Sequence, residues 1–347
     1  MPYLRLKNKM RLISKLLIIS VLLSIVAVIV VNYEHQRFKT SFLNIPENGF
    51  IYTVKPGSNL RKISRDLKQA GVSSFPVDYF YVYGRMQNKA HLIKTGEYLI
   101  KANTTLPELL EQLIAGQVIQ YSYTIVEGLS SQQLIDSILA DTRLVKTLTK
   151  KDLSDVIIEL ELPKSHGEGE FLPETYFFTS GTTDRQLLQR AHTMMTSTLD
   201  EAWKTRAKKL PYKTAYDALI MASIIEKETG IAEERPQISG VFVRRLQKGM
   251  RLQTDPTVIY GMGASYQGNI RRKDLRTDTV YNTYTRYGLP PTPIALPSKE
   301  AIDAALHPAD GKSLYFVATG KDGRHVFSNT LVEHNKAVRK YQLKKKK

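Results

Sequence analysis

Ala218-Leu219-Ile220-Met221-Ala222-Ser223-Ile224-Ile225-Glu226-Lys227-Glu228-Thr229-Gly230 is the stretch from which the rest of this chain can be read. From Ala218 to Ile225 it is apolar on every helical face except at Ser223, and a helix apolar all round belongs at the centre of a core. With Thr214 ahead of it and Gly230 behind, the pattern predicts a helix from about 214 to 229. Glu226 follows the apolar run directly. At helical spacing it lies over Ala222 and Ser223, whose small side chains leave a hollow beside the carboxyl group. A carboxyl group half out of water has a raised pKa and stays protonated near neutrality, as a general acid must. Glu226 is therefore the candidate catalytic residue. Lys227 and Glu228 compete with it from further along the helix, and an ion pair of Glu226 with Lys227, Arg244 or Arg245 is the structural alternative.

Downstream lie Gly249-Met250-Arg251-Leu252-Gln253-Thr254-Asp255-Pro256-Thr257-Val258-Ile259-Tyr260-Gly261, then Tyr281-Asn282-Thr283-Tyr284, then Gly288-Leu289-Pro290-Pro291. These put amide, hydroxyl and aromatic groups on turn-rich backbone, the material of a carbohydrate groove. Turn chemistry alone also accounts for the Gly and Pro. Upstream, residues 146–205 carry amphipathic helical patterns, and Glu168 to Phe178 reads as a structured loop leading into a strand.

Further towards the N-terminus one pattern occurs three times, from Tyr52, from Tyr98 and from Tyr123. Each is a short β-type run, a polar turn and an amphipathic helix whose start carries Asn, Thr or Ser for capping. Together they predict a small α+β domain over 50–145. Its first unit, Tyr52-Thr53-Val54-Lys55-Pro56-Gly57 with Leu60, Ile63 and Leu67, resembles the LysM module. The resemblance implies binding of N-acetylglucosamine-containing glycans, although these residues also serve as plain core.

Residues 16–33 hold no charge, and at about 1.5 Å per residue they just span a hydrocarbon core. Five cations precede them (Arg5, Lys7, Lys9, Arg11, Lys15) without an acid. The positive-inside rule then puts 1–15 in the cytoplasm and all that follows 33 outside. The exit from the apolar run offers no good signal-peptide cleavage site, so an uncleaved anchor is expected, followed by a linker over 34–49.

Composition sets the limits. The 347 residues carry a net charge of +17 and no cysteine, which excludes disulfides, thiolate metal sites and cysteine nucleophiles. Part of the excess sits in the first fifteen residues and in the tail Lys344–Lys347; what remains on the body fits a polyanion, and an exported body disfavours nucleic acid. The seven histidines show no ligand spacing, so no metal or cofactor is expected. No G-x-S-x-G elbow or P-loop occurs.

Met221 to Thr229, the run Gly249 to Gly261, Tyr281 to Tyr284, Gly288 to Pro291, Ala305-Leu306-His307-Pro308-Ala309, Leu314 to Ala318 and His334-Asn335 follow one another in the order seen in the endolytic murein transglycosylases, the MltG or YceG-like family. The chain resembles that family along nearly its whole length, departing from it at Thr292, where a smaller residue is common. The resemblance implies an α+β chain: a transmembrane helix, a LysM-like domain, and a mixed α/β catalytic domain over 146–343 built around the buried helix. It also implies a lyase that cuts the β-1,4 bond from N-acetylmuramic acid to N-acetylglucosamine inside peptidoglycan strands and leaves a 1,6-anhydro end. The family's catalytic glutamate matches Glu226. Gln253 and Asp255 are then candidates for orienting Glu226 or a sugar amide, and Tyr260, Asn282 and Tyr284 for lining the groove. The implied partners are glycan strands, the inner membrane of a bacterium and peptidoglycan synthases of the penicillin-binding class. A hydrolytic muramidase with Asp255 as second carboxylate and a non-enzymatic glycan-binding scaffold are the rival readings.

Overall fold

The structure is a computed structural model that describes residues 2–162 and 166–343. The tail Lys344–Lys347 and the side chains of Arg5, Lys7, Lys9 and Arg11 lie outside the described residues. The chain divides into two compact units, at 120/121.

The first unit contains α1 (Pro2–Thr40), β1 (Phe50–Val54), α2 (Leu60–Gln69), α3 (Val77–Met86), β2 (Gly96–Ile100) and α4 (Leu106–Ala115). No Gly or Pro interrupts the chain from Tyr3 to Ile45, and α1 runs unbroken for 39 residues. Its segment Ile13–Thr40 is long and apolar enough to cross a membrane, and its apolar window is 0% buried. The first part of the expected linker, 34–40, continues α1, and two of the linker's residues enter the core. Phe38 is 3% exposed, with its ring 5.4 Å from Phe75 and 5.1 Å from Tyr83, and Leu43 is buried beside it. An apolar pair spaced through a polar stretch is enough to pull it into the core.

β1 and β2 pair antiparallel with Tyr52 opposite Tyr98, and α2 and α3 form the connection between them. Val54, Leu60, Ile63 and Leu67 are buried, as are Leu106, Leu109, Leu110 and Leu113 on the inner face of α4. Asn59 and Thr105 cap α2 and α4 through side-chain bonds to the third helical N–H, which satisfies donors the helix start leaves open.

The second unit begins with β3 (Tyr121–Thr124), α5 (Ser131–Ala140), α6 (Leu153–Glu159), β4 (Thr175–Phe178) and α7 (Asp184–Thr205). The third strand–turn–helix run belongs here and not with the first two. β3 pairs antiparallel with β4, Tyr123 opposite Tyr176, and Ile135 and Ile138 of α5 share a core with Phe171, Leu187 and Leu188. The division of the chain therefore falls ahead of Tyr121, whereas the sequence pattern grouped 121–145 with the first domain. The cause is a long-range strand pairing that local periodicity does not carry.

Next come α8 (Ala215–Glu228), α9 (Arg235–Gln247), α10 (Asp255–Met262), α11 (Arg272–Arg276), α12 (Lys299–Leu306), β5 (Tyr315–Ala318), β6 (His325–Ser328) and α13 (Leu331–Val338). α8 is the expected central helix. Every residue from Ala218 to Ile225 is buried, Thr214 and Asp217 close a capping box at its start, and α12, α9 and α7 pack around it. β5 and β6 form a separate antiparallel ribbon. Among the described residues every sheet is a two-stranded antiparallel pair, so the unit is helical with two ribbons, an α+β arrangement and not the interleaved α/β one that "mixed α/β" implies.

Candidate active site

α8 ends in two glutamates that point in different directions. Residues two apart on a helix are separated by about 200° around its axis, so only one of them can face a given cleft. Glu226, its side chain 4% exposed, turns towards α12. Its Oε2 accepts the backbone N–H of Ser298 at 2.9 Å and the Ser298 hydroxyl at 2.5 Å, and its Oε1 lies 3.3 Å from the Arg235 guanidinium. Ser298 is the N-cap of α12, so Glu226 braces the start of a helix, where a negative charge is favoured. The hollow expected beside it is filled: the Ser223 hydroxyl bonds to the Ile220 carbonyl and accepts the N–H of Ile294. The ion-pair alternative holds in kind but with Arg235 as partner, because Arg244 and Arg245 bond to the carbonyls of Ser313 and Leu314.

Glu228 opens on the other side, into a cleft of about 490 Å³ that Gln253, Asp255, Tyr284, Tyr315 and His334 also line. The Thr254 hydroxyl donates to Glu228 Oε1. Thr254 is held in turn: its N–H donates to Thr283 Oγ1 at 3.1 Å, and the Thr283 and Thr257 hydroxyls bond to each other. Burial pushes the Glu228 carboxyl up to about 7; the Thr254 bond and the His325 charge oppose this, and the Asp255 charge adds to it. A carboxyl group so placed is divided between its acid and base forms near neutral pH, so it can give up a proton and take one back.

Asp255 opens α10, where its charge meets the positive end of the helix dipole. It accepts the Tyr284 hydroxyl at 2.5 Å, and burial together with this bond raises the Tyr284 phenol well above its usual value. Gln253 takes a left-handed backbone, φ 53°, which brings its Oε1 to 3.3 Å from Arg245 Nη1. Arg245 is 7% exposed and donates to the carbonyls of Leu252, Arg251 and Leu314. It thereby ties the cleft wall to the β5 ribbon, its guanidinium 5.0 Å from the Tyr315 ring.

Three of the expected site residues thus meet in one cleft: Gln253, Asp255 and Tyr284. The other three do not join them. Tyr260 lies on the far side of α10, its hydroxyl donating to Glu168 at 3.0 Å and its ring edge-on to Tyr281 at 4.8 Å. Asn282 is 1% exposed, and its amide donates to the carbonyls of Asp274, Leu275 and Thr277. It fastens a loop. Glu226 braces α12. The sequence pattern ranked Glu228 below Glu226 and did not single out Thr254, His325 or Glu234, the last two joined at 2.8 Å. The i, i+2 spacing of Glu226 and Glu228 was the available signal, but nothing in the pattern said which face of α8 stays open. Among the described residues no group of three or more His, Cys, Asp or Glu is placed to hold a metal ion.

The fold and cleft define an α+β protein with a carboxyl raised by burial at the end of a buried helix, a second carboxylate in the same cleft, and aromatic and amide groups around both. The model of the YceG-like family matches residues 52–340, and the chain belongs to that family. It is 32% identical over 307 residues to a protein of Bacillus subtilis (strain 168) named endolytic murein transglycosylase, covering 83% of each chain. It is 28% identical over 342 residues to a protein of the same name from Streptococcus pneumoniae serotype 2 (strain D39), covering 88% of this chain and 61% of that one. A crystal structure of a YceG-like protein from Listeria monocytogenes is 28% identical, covers 84% of this chain and 99% of its own, and superposes with a TM-score of 0.49.

Proposed function

We propose that the chain is an endolytic murein transglycosylase, a lyase that cuts peptidoglycan strands internally, and that Glu228 is its acid and base. The observation that carries the residue assignment is the position of Glu228, in the cleft with Asp255, Gln253 and Tyr284 and with its carboxyl raised to about 7. Against Glu226 stands its engagement with Ser298 and Arg235. Glu228 donates its proton to the glycosidic oxygen as the bond to the muramyl C1 breaks. The resulting carboxylate takes the proton of the muramyl C6 hydroxyl as that oxygen closes on C1. One bond breaks, one forms, no water enters, and Glu228 ends protonated for the next turn. Thr254 holds the carboxyl in position, and Tyr284 and Gln253 are placed to meet sugar hydroxyls or an acetamido group.

Asp255 favours a second reading, hydrolysis, since a second carboxylate in the same cleft can activate water. Digestion of purified murein with the wild-type chain and with Glu228→Gln decides: anhydro ends lost in the variant support the lyase, ends that have gained water support hydrolysis, and an active variant refutes the role of Glu228.

The same proposal takes α1 as an uncleaved anchor with its N-terminus in the cytoplasm, on the strength of the cations that precede Leu16, and places the second unit outside a bacterial inner membrane. Glycan affinity in the first unit is supported by its antiparallel strand pair enclosing two helices and its LysM-like residues. The same reading includes association with peptidoglycan synthases and termination of growing strands.

A further inference from the structure

We propose that the exposed apolar face of α3 sits in the headgroup–acyl boundary of the bilayer that α1 enters, seating the first unit on lipid. This rests on reading α1 as a membrane anchor. Tyr79, Val82 and Met86 are 39%, 49% and 74% exposed, and their i, i+3, i+7 spacing puts them on one face. Together with Val28 and Val31 of α1 they line a groove of about 800 Å³.

The position of that groove along α1 sets its depth. α1 is unbroken from Val31, where the apolar run closes, to Phe38, which is locked between Phe75 and Tyr83 in the core of the unit. Those seven residues rise about 10 Å, while a headgroup layer is about 5–8 Å thick on each side of the hydrocarbon. With Leu16–Val31 in the hydrocarbon, Phe38 stands near the outer edge of the headgroups. The α1 residues of the groove run from Ala27 to Phe38 and therefore straddle the boundary, and the α3 side chains facing them share that depth. Tyr79 offers an apolar ring with a polar tip, the residue type that collects there. Asn32, Glu34, His35 and Asp78 form the polar part of the lining, and Arg37, its side chain 53% exposed, stands at headgroup level. A unit floating free in water would leave this apolar face exposed beside an equally apolar helix.

The chain has no cysteine, so single cysteines can be introduced at will. Val82→Cys, Met86→Cys, Val21→Cys and Lys101→Cys are each placed in the full chain, labelled with an environment-sensitive fluorophore and reconstituted in phosphatidylcholine–phosphatidylglycerol vesicles. Positions 82 and 86 are expected to be quenched several-fold more by spin-labelled lipid than position 101, and several-fold less by aqueous iodide. Position 21, quenched by a deep lipid label, reports the anchor independently. If 21 lies in lipid while 82 and 86 are as open to iodide as 101, the seat is overturned and the anchor stands. If 82 and 86 are shielded from both quenchers, protein covers the face and the proposal is again overturned. If 21 is not in lipid, the anchor reading itself fails and takes the seat with it.

Discussion

Glu228→Gln should make the protein more stable and inactive at once, in a way that depends on pH. Burial lifts the Glu228 carboxyl from 4.5 to about 7. Below 4.5 both folded and unfolded chains hold the proton and the site costs nothing. Between 4.5 and 7 only the folded chain holds it, so stability falls as pH rises through this window, and above 7 the loss is complete. At about 1.4 kcal/mol per pH unit the full loss is about 3 kcal/mol. Glutamine carries no charge and escapes it. Urea unfolding of the detergent-solubilised chains at pH 4.5, 6 and 8 should show the variant gaining little at the lowest pH and about 3 kcal/mol at the highest. Cleavage of murein by the variant should fall about 10²–10⁴-fold, and wild-type turnover should decline above pH 7 as the acid form is lost. A stability difference that does not grow with pH would mean that Glu228 is not held protonated by burial. Retained turnover would mean that the acid lies elsewhere.

Asp255→Asn removes a negative neighbour that raises Glu228, so the alkaline limb of the pH–rate profile should move to lower pH; an unmoved limb would show that Asp255 does not act on Glu228. Glu226→Gln strands the mostly buried Arg235 charge and should cost about 3 kcal/mol of stability, with the folded fraction still cleaving; full stability with lost cleavage would return the catalytic role to Glu226. Asn282→Ala leaves three loop carbonyls without their donor and should lower the melting temperature by the equivalent of about 2 kcal/mol, whereas a groove-lining role would raise KM at unchanged stability. A chain cut to begin at Tyr121 should fold, while one begun at Lys146 loses β3 and the buried Tyr123, Ile125, Leu134, Ile135 and Ile138 and should not; circular dichroism and thermal melts of the two separate these outcomes.

The central helix, the caps, the apolar N-terminal span and the order of motifs were legible from the chain because each depends on neighbours within a few residues. Apolar residues on every face of 218–225 require burial wherever the helix sits. Asn59, Thr105 and Ser130 cap their helices through bonds to residues three along, and Gln253, Asp255, Tyr260, Asn282 and Tyr284 became candidates together once the family resemblance was seen, with nothing local to separate them. What tertiary structure decided is which side of each element meets which distant partner. Glu226 and Glu228 are nearly equivalent in sequence; α12, arriving 72 residues later with Ser298 at its start, occupies the face of one and leaves the other open to the cleft. Asn282 and Tyr284 likewise differ by two positions, and the folding of their loop turns one amide inward onto three carbonyls while the phenol beside it reaches Asp255. The same holds for β3, whose residues pair with partners from Thr175 to Phe178, and for Phe38, which a long polar-flanked helix delivers to a core formed by residues it precedes. Periodicity names the face that must be buried; only the packed chain says what buries it.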